Sequence, residues 1–315
     1  MNATTDYPLR ALGIGEIFDR AVTIYVRHAA VFTLLFLTVL VPIAIVQYVF
    51  VVPFEAKAMA QIIAQIQHPE KVAAVDPFGG MGLQNVLIVG VAYLAFLLLL
   101  PFVTNAVAVN VANLYFGRPL AYGASLAQSF RAWLRVLGTV IVGALIVLVT
   151  YFAGGLTLGL LAALGIALVR SALPLAILVF VLFIVGVLAL VFGLVLVIFA
   201  ATFALFAVGV ENARVGEAIS SGFRRIFNTK ELGKASLMAL SYGALGIGLS
   251  IVLYTIAIAS FLLLHTAIVE SVTSAVLGAV VNAFASIVLV VYYLDVRIRR
   301  EGLDVESDLQ HLAAV

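Results

Sequence analysis

The side chains in this sequence best suited to hold a metal or pass a proton are its four histidines, His28, His68, His265 and His311. They lie far apart, and none stands in the HxxxH or ExxH spacing that puts two ligands on one helical face. There is no cysteine, which excludes disulfides, thiolate metal sites and cysteine nucleophiles. No GxSxG elbow and no P-loop occur. The GxG fragments at Gly13–Gly15 and Gly246–Gly248 lack the strand–turn–helix setting of a phosphate loop. The apolar blocks carry no Asp, Glu, Lys or Arg near their centres, the groups that proton-coupled carriers and voltage sensors need. No catalytic residue, metal site or cofactor is therefore expected, and the chain is expected not to be an enzyme.

Two kinds of chemistry remain. The first is cationic: Arg20, Arg27, Arg131, Arg135, Arg224 and Arg225 stand on or beside three similar stretches, IGEIFDRAVTIYVR (14–27), YGASLAQSFRAWLR (122–135) and VGEAISSGFRRIFN (215–228). At about 100° per residue, Ile14, Ile17, Phe18, Ala21, Ile24 and Tyr25 fill one arc, and Glu16, Asp19, Arg20 and Arg27 the other. Val215, Ala218, Ile219, Phe223 and Ile226 repeat the apolar arc, with Glu217, Ser220, Arg224 and Asn228 opposite. A basic amphipathic helix beside a membrane span lies in the interface plane, so these arginines are expected to face headgroups, water or a partner. Glu16 and Glu217 occupy equivalent first-turn positions, where a carboxylate favours a helix N-terminus. The second kind is uncharged. Gln47, Asn105 and Asn282 fall inside apolar segments, where amides either bridge helices or line a polar path. Asn282 lies in a small-residue stripe, Ser274, Gly278, Asn282 and Ser286, with Ala275, Ala279 and Ala283 beside it. This spacing predicts close helix packing with Asn282 bonding across the interface, and Gly155 and Gly159 offer a similar surface.

These groups must be positioned by a membrane protein. The 315 residues are 65% hydrophobic and 10% charged, with a mean hydropathy of +1.24, whereas soluble domains carry about 25% charged residues. The expected fold is all-α, a single transmembrane domain over 1–315 with six transmembrane helices in three pseudo-repeats, 12–114, 119–210 and 213–294, and a cytoplasmic tail, 295–315. Each repeat is an amphipathic cytoplasmic helix followed by a two-helix hairpin. The spans are about 28–53, kinked at Pro42, and 83–114, containing Pro101, then 136–169, 174–210, 235–264 and 268–294. Residues 54–82 read as a short surface helix and a loop. The blocks 136–169 and 174–210 exceed the roughly 20 residues that a span needs. A split would leave backbone groups unsatisfied in lipid, so each reads as one long helix meeting its neighbour at Arg170–Pro174. Of the 17 Lys and Arg residues, 14 fall on the face that holds both termini and the three amphipathic stretches. Lys57, Lys71 and Arg170 fall on the other. By the positive-inside rule both termini are cytoplasmic in a multi-pass protein of the cytoplasmic membrane.

Leu9–His28 (LRALGIGEIFDRAVTIYVRH), Val210–Phe227 (VENARVGEAISSGFRRIF) and Tyr292–Leu309 (YYLDVRIRREGLDVESDL) resemble the membrane-domain family named after the glycerophosphoryl diester phosphodiesterase membrane domain. The resemblance implies a polytopic helical membrane protein auxiliary to lipid or envelope metabolism. That family's phosphodiesterase chemistry uses a His–Arg pair and acids at a metal; no such residues match here, so no activity is implied. The leading expectation is a non-enzymatic module of the cell envelope that binds lipid or a partner through its basic cytoplasmic face. The alternative is a transporter or permease-like component with a pathway between the repeats. The partners expected are membrane lipids, then other membrane proteins or further copies of the chain. No nucleic acid is expected, given a formal net charge of only +2.

Overall fold

The computed structural model describes residues 7, 10–51, 83–169, 171–264 and 267–302. The surface helix and loop expected over 54–82, Arg170, His265 and the tail beyond Gly302 lie outside the described residues. What is described is helical: α1 (Ile14–Val46), a π-helical turn (Gln47–Val51), α2 (Leu83–Tyr115), α3 (Tyr122–Arg131), α4 (Trp133–Leu168), α5 (Leu173–Val210), α6 (Val215–Ile226), α7 (Leu232–Leu264) and α8 (Ala267–Glu301). Six of these helices are long and apolar enough to cross a membrane, which makes the chain an integral membrane protein by length and composition. The first amphipathic stretch and the first span are one helix with a break at His28, where φ is −131° and ψ 25°. The sequence placed the boundary at that residue, but as a junction between two helices.

The described helices fall into two compact units, residues 1–130 with 244–292, and residues 131–243 with 293–315. In the first unit α1 packs on α2. Its core is built from Ile17, Ala21, Ile24, Phe32 and Phe36 with Val103, Ala106, Val107 and Val111, all fully or almost fully buried. Gln47 donates from Nε2 to the Tyr93 hydroxyl at 2.7 Å, tying the π-turn to α2. On α8 the small-residue stripe is used one row over from the expectation. Ala275, Ala279 and Ala283 are buried, while Asn282 is exposed and donates to the Gly278 carbonyl of its own helix at 2.8 Å. Its bond across a helix interface is therefore not made, because an amide four residues after a carbonyl reaches that carbonyl first.

In the second unit α4 and α5 form one long antiparallel hairpin, 36 and 38 residues without a break, or about 54 and 57 Å at 1.5 Å per residue. Pro174 sits in the first turn of α5, where its missing N–H costs nothing. The close contacts are not at Gly155 and Gly159, which face open space. They are at Gly143, where an added Cβ would lie 3.1 Å from Ala201, and at Gly154, where it would strike Leu190. Helix α5 ends on Asn212 in the left-handed region, φ 56°. The Ala213 N–H then reaches the Ala207 carbonyl at 3.2 Å, which also accepts from the Glu211 N–H, and this closes the helix end.

Candidate functional site

The first and third amphipathic stretches begin alike. The Gly13 N–H donates to Glu16 Oε2 at 2.7 Å, and the Arg214 N–H donates to Glu217 Oε2 at 3.1 Å. Both carboxylates thus reach back to the residue that precedes the helix, the acidic half of a capping box. The middle stretch has Ala124 at this position, and there the Ala121 N–H donates instead to Asn110 Oδ1 of α2 at 3.2 Å. The same three positions are also buried in each. Four, eight and eleven residues after Gly13, Ala121 and Arg214 stand Ile17, Ala21 and Ile24; Ser125, Ser129 and Ala132; and Ala218, Gly222 and Arg225.

Within the first unit α3 is held by hydroxyls. Asn110 Nδ2 donates to Ser125 Oγ at 2.9 Å, and Asn105 Nδ2 donates to Ser129 Oγ at 3.3 Å. The Tyr122 hydroxyl bonds Thr38 Oγ1 at 2.7 Å, and Phe130 stacks on Phe102 with centroids 4.8 Å apart. Asn105 thus serves to dock α3, the packing use of an intramembrane amide. Arg20 lies over the Tyr115 ring at 5.9 Å, while Arg27 and Arg131 are exposed.

In the second unit α6 lies tightly on α5, since a Cβ at Gly222 would come within 2.4 Å of the Ala200 carbonyl oxygen. Three residues on, Arg225 turns inward and is only 4% exposed. The sequence grouped it with the outward arginines; the structure corrects this, because acids from two other segments and a tyrosine ring surround it. Arg225 Nη1 meets Glu211 Oε1 at 2.8 Å and donates to the Tyr293 hydroxyl at 3.1 Å. Its guanidinium lies 5.1 Å from the Tyr293 ring centroid and is paired with Glu301. The Tyr293 hydroxyl donates to Glu211. Arg297 closes the ring, with Nε 3.2 Å from Glu211 and 2.8 Å from Glu301. Two guanidinium groups thus balance two carboxylates. Burial works against the charge on Arg225, but Tyr293, Glu211 and Glu301 overcome it, and its pKa is raised. Phe203 and Phe206 meet the Tyr293 ring edge-on at 5.2 and 5.7 Å.

Beside this neutral floor lies a second ionic cluster. Asp295, fully buried, takes Lys234 at 2.5 Å and Arg299 at 3.1 Å. The Asp295–Arg299 pair is the helical pair that their spacing predicts, and Gly302, at φ 61°, ends α8 as a left-handed cap. Arg300 Nη1 donates to the Arg224 carbonyl at 2.8 Å, joining the C-terminal ends of α8 and α6. Between them opens a cavity of about 420 Å³, lined by Arg224, Arg225, Lys230, Arg299 and Arg300 with Asn228, Glu231 and Glu301. Arg135, expected at the interface, is engaged elsewhere in the unit: its Nη1 holds the Asn212 carbonyl and side-chain oxygens at 2.8 and 2.6 Å.

Sequence reasoning found Arg224 and Arg225 but not Glu211, Tyr293 or Glu301 as the partners of Arg225. The available signal was Glu211 itself, an acid placed directly at the end of the most apolar block. Comparisons with protein-family models, with curated proteins and with solved structures found no match to this chain.

Proposed function

We propose that this integral membrane protein is a non-enzymatic module that binds anionic lipid, or a partner of like charge, through a basic cytoplasmic face. The 14-to-3 division of Lys and Arg carries this reading, placing both termini and the three amphipathic stretches in the cytoplasm. The three stretches are read as the openings of three pseudo-repeats. Their shared capping position and shared buried positions support that reading, as does the exposure of Arg27, Arg131 and Arg224. Each cation near a membrane of anionic lipid contributes about 1 kcal/mol of attraction. The resemblance to the phosphodiesterase membrane-domain family would place such a module beside lipid or envelope metabolism.

Orientation is tested with Ser307→Cys and Asp76→Cys in intact cells. An impermeant thiol reagent should label the second and spare the first; labelling of Ser307→Cys overturns the topology. Lipid binding is tested by mass spectrometry of lipids that co-purify with the protein. Anionic species should be enriched over zwitterionic ones, and Arg27→Gln with Arg131→Gln should reduce the enrichment while leaving the protein in the membrane.

A further inference from the structure

Resting on that reading, we infer that the cavity between the C-terminal ends of α6 and α8 is a specific site for a phosphomonoester. Three observations converge on it. The first is charge. Five cations and two carboxylates line the cavity, a formal excess of three positive charges. The layer behind does not cancel this excess, because Glu211 is balanced by Arg297 and Asp295 by Lys234. The second is construction. Arg225 and Glu301 form a fixed floor, and the Arg300 bond to the Arg224 carbonyl fixes the spacing of the two helix ends. The cations therefore stand on pre-organised supports. Arg224 and Lys230, both exposed, have no side-chain hydrogen bond or ion pair among the described residues. The third is depth. The apolar run of α5 ends at Val210, that of α7 begins at Ala235 and that of α8 ends at Leu294. The cavity thus stands where three helices change from apolar to charged, the level of lipid headgroups.

A phosphomonoester suits the site because it offers up to two negative charges and several acceptor oxygens to a group of guanidinium donors. A phosphodiester headgroup offers one charge and fewer free oxygens. Two sources share this chemistry: a lipid with a terminal phosphate, such as phosphatidic acid, and a soluble phosphate compound.

The test uses the full chain in neutral detergent. Phosphatidic acid and phosphatidylglycerol are titrated by native mass spectrometry, and inorganic phosphate and glycerol 3-phosphate by calorimetry. One equivalent of phosphatidic acid should bind at least about fivefold more tightly than phosphatidylglycerol. Arg224→Gln with Lys230→Gln should weaken it by about twentyfold or more, at roughly fivefold per cation. Arg27→Gln with Arg131→Gln should weaken it less than about threefold. Arg224→Lys with Lys230→Arg should retain binding, which separates lost charge from lost fold. Binding of the soluble phosphates with equal sensitivity to the first pair supports the site and identifies its ligand as soluble. Equal losses from the two Gln pairs overturn the site while leaving the broader basic-face reading intact. Absence of any preference for anionic lipid or phosphate overturns both.

Discussion

Helix α3 buries Ser125 and Ser129 where α6 buries Ala218 and Gly222, and at the next inward position Ala132 stands where α6 has Arg225. In the first unit the inward face is neutral: two asparagines of α2 bond two serines, and one of them also caps the helix start. In the second, glycine removes all side-chain bulk so that α6 can lie on α5, and an arginine then carries a full charge to a site that is 4% exposed. The two solutions differ in how they fail. A neutral amide–hydroxyl pair that loses one member leaves one imperfectly satisfied group. A balanced ring of two guanidinium groups and two carboxylates that loses one member leaves an uncompensated charge. The second unit is therefore the more brittle end of the protein, and its cavity sits on the part least able to change.

The largest expected effect follows from that contrast. Arg225→Ala should cost about 3–5 kcal/mol, seen as a large fall in the thermal unfolding midpoint in detergent, whereas Arg224→Ala, one residue away and exposed, should stay within about 0.5 kcal/mol. If Arg225→Ala is as mild as Arg224→Ala, the two units do not differ in this way. Next, Gly222→Ala should cost about 1–3 kcal/mol, because the new methyl meets the backbone of α5 rather than a movable side chain. Gly123→Ala, on the helix that matches α6 in the first unit and facing open space, should be neutral or slightly stabilising. Ser125→Ala should cost about 1 kcal/mol through the Asn110 amide left without its acceptor. The smallest effect is a sharp boundary in the tail. Removing residues 303–315 should leave the unfolding midpoint unchanged, while removing 301–315 also takes Glu301 from Arg225 and Arg297 and should lower it measurably.

The helices were legible because their signals are local: apolar length and charge at the ends. The caps were legible too, since Glu16 and Glu217 lie three residues from the groups they serve. The inward turn of Arg225 was not. Its partners stand 14, 68 and 76 residues away; its place seven residues after Ala218 puts it on the inward side of α6, where Arg224 is not, but only the packing shows that acids wait there to receive it. Asn282 failed for the opposite reason: a small-residue stripe shows that a face is close-packed but not which row of it is buried, and the alanine row was the one used. Asn110 could have been identified as a cap only by knowing that α2 runs beside the start of α3.

The length of the α4–α5 hairpin has a consequence for the lipid around it. Between Arg135 and Arg170 lie 34 residues without a charge, about 51 Å of helix, against a hydrocarbon layer of about 30 Å. Tilt alone would need roughly 54° to hide that length, beyond the 0–40° range of membrane helices. The remainder falls on the bilayer, which stretches to meet the hairpin or leaves apolar turns standing among the headgroups. Either outcome makes the hairpin sensitive to membrane thickness, so that thicker, more ordered bilayers would accommodate it at lower cost than thin ones.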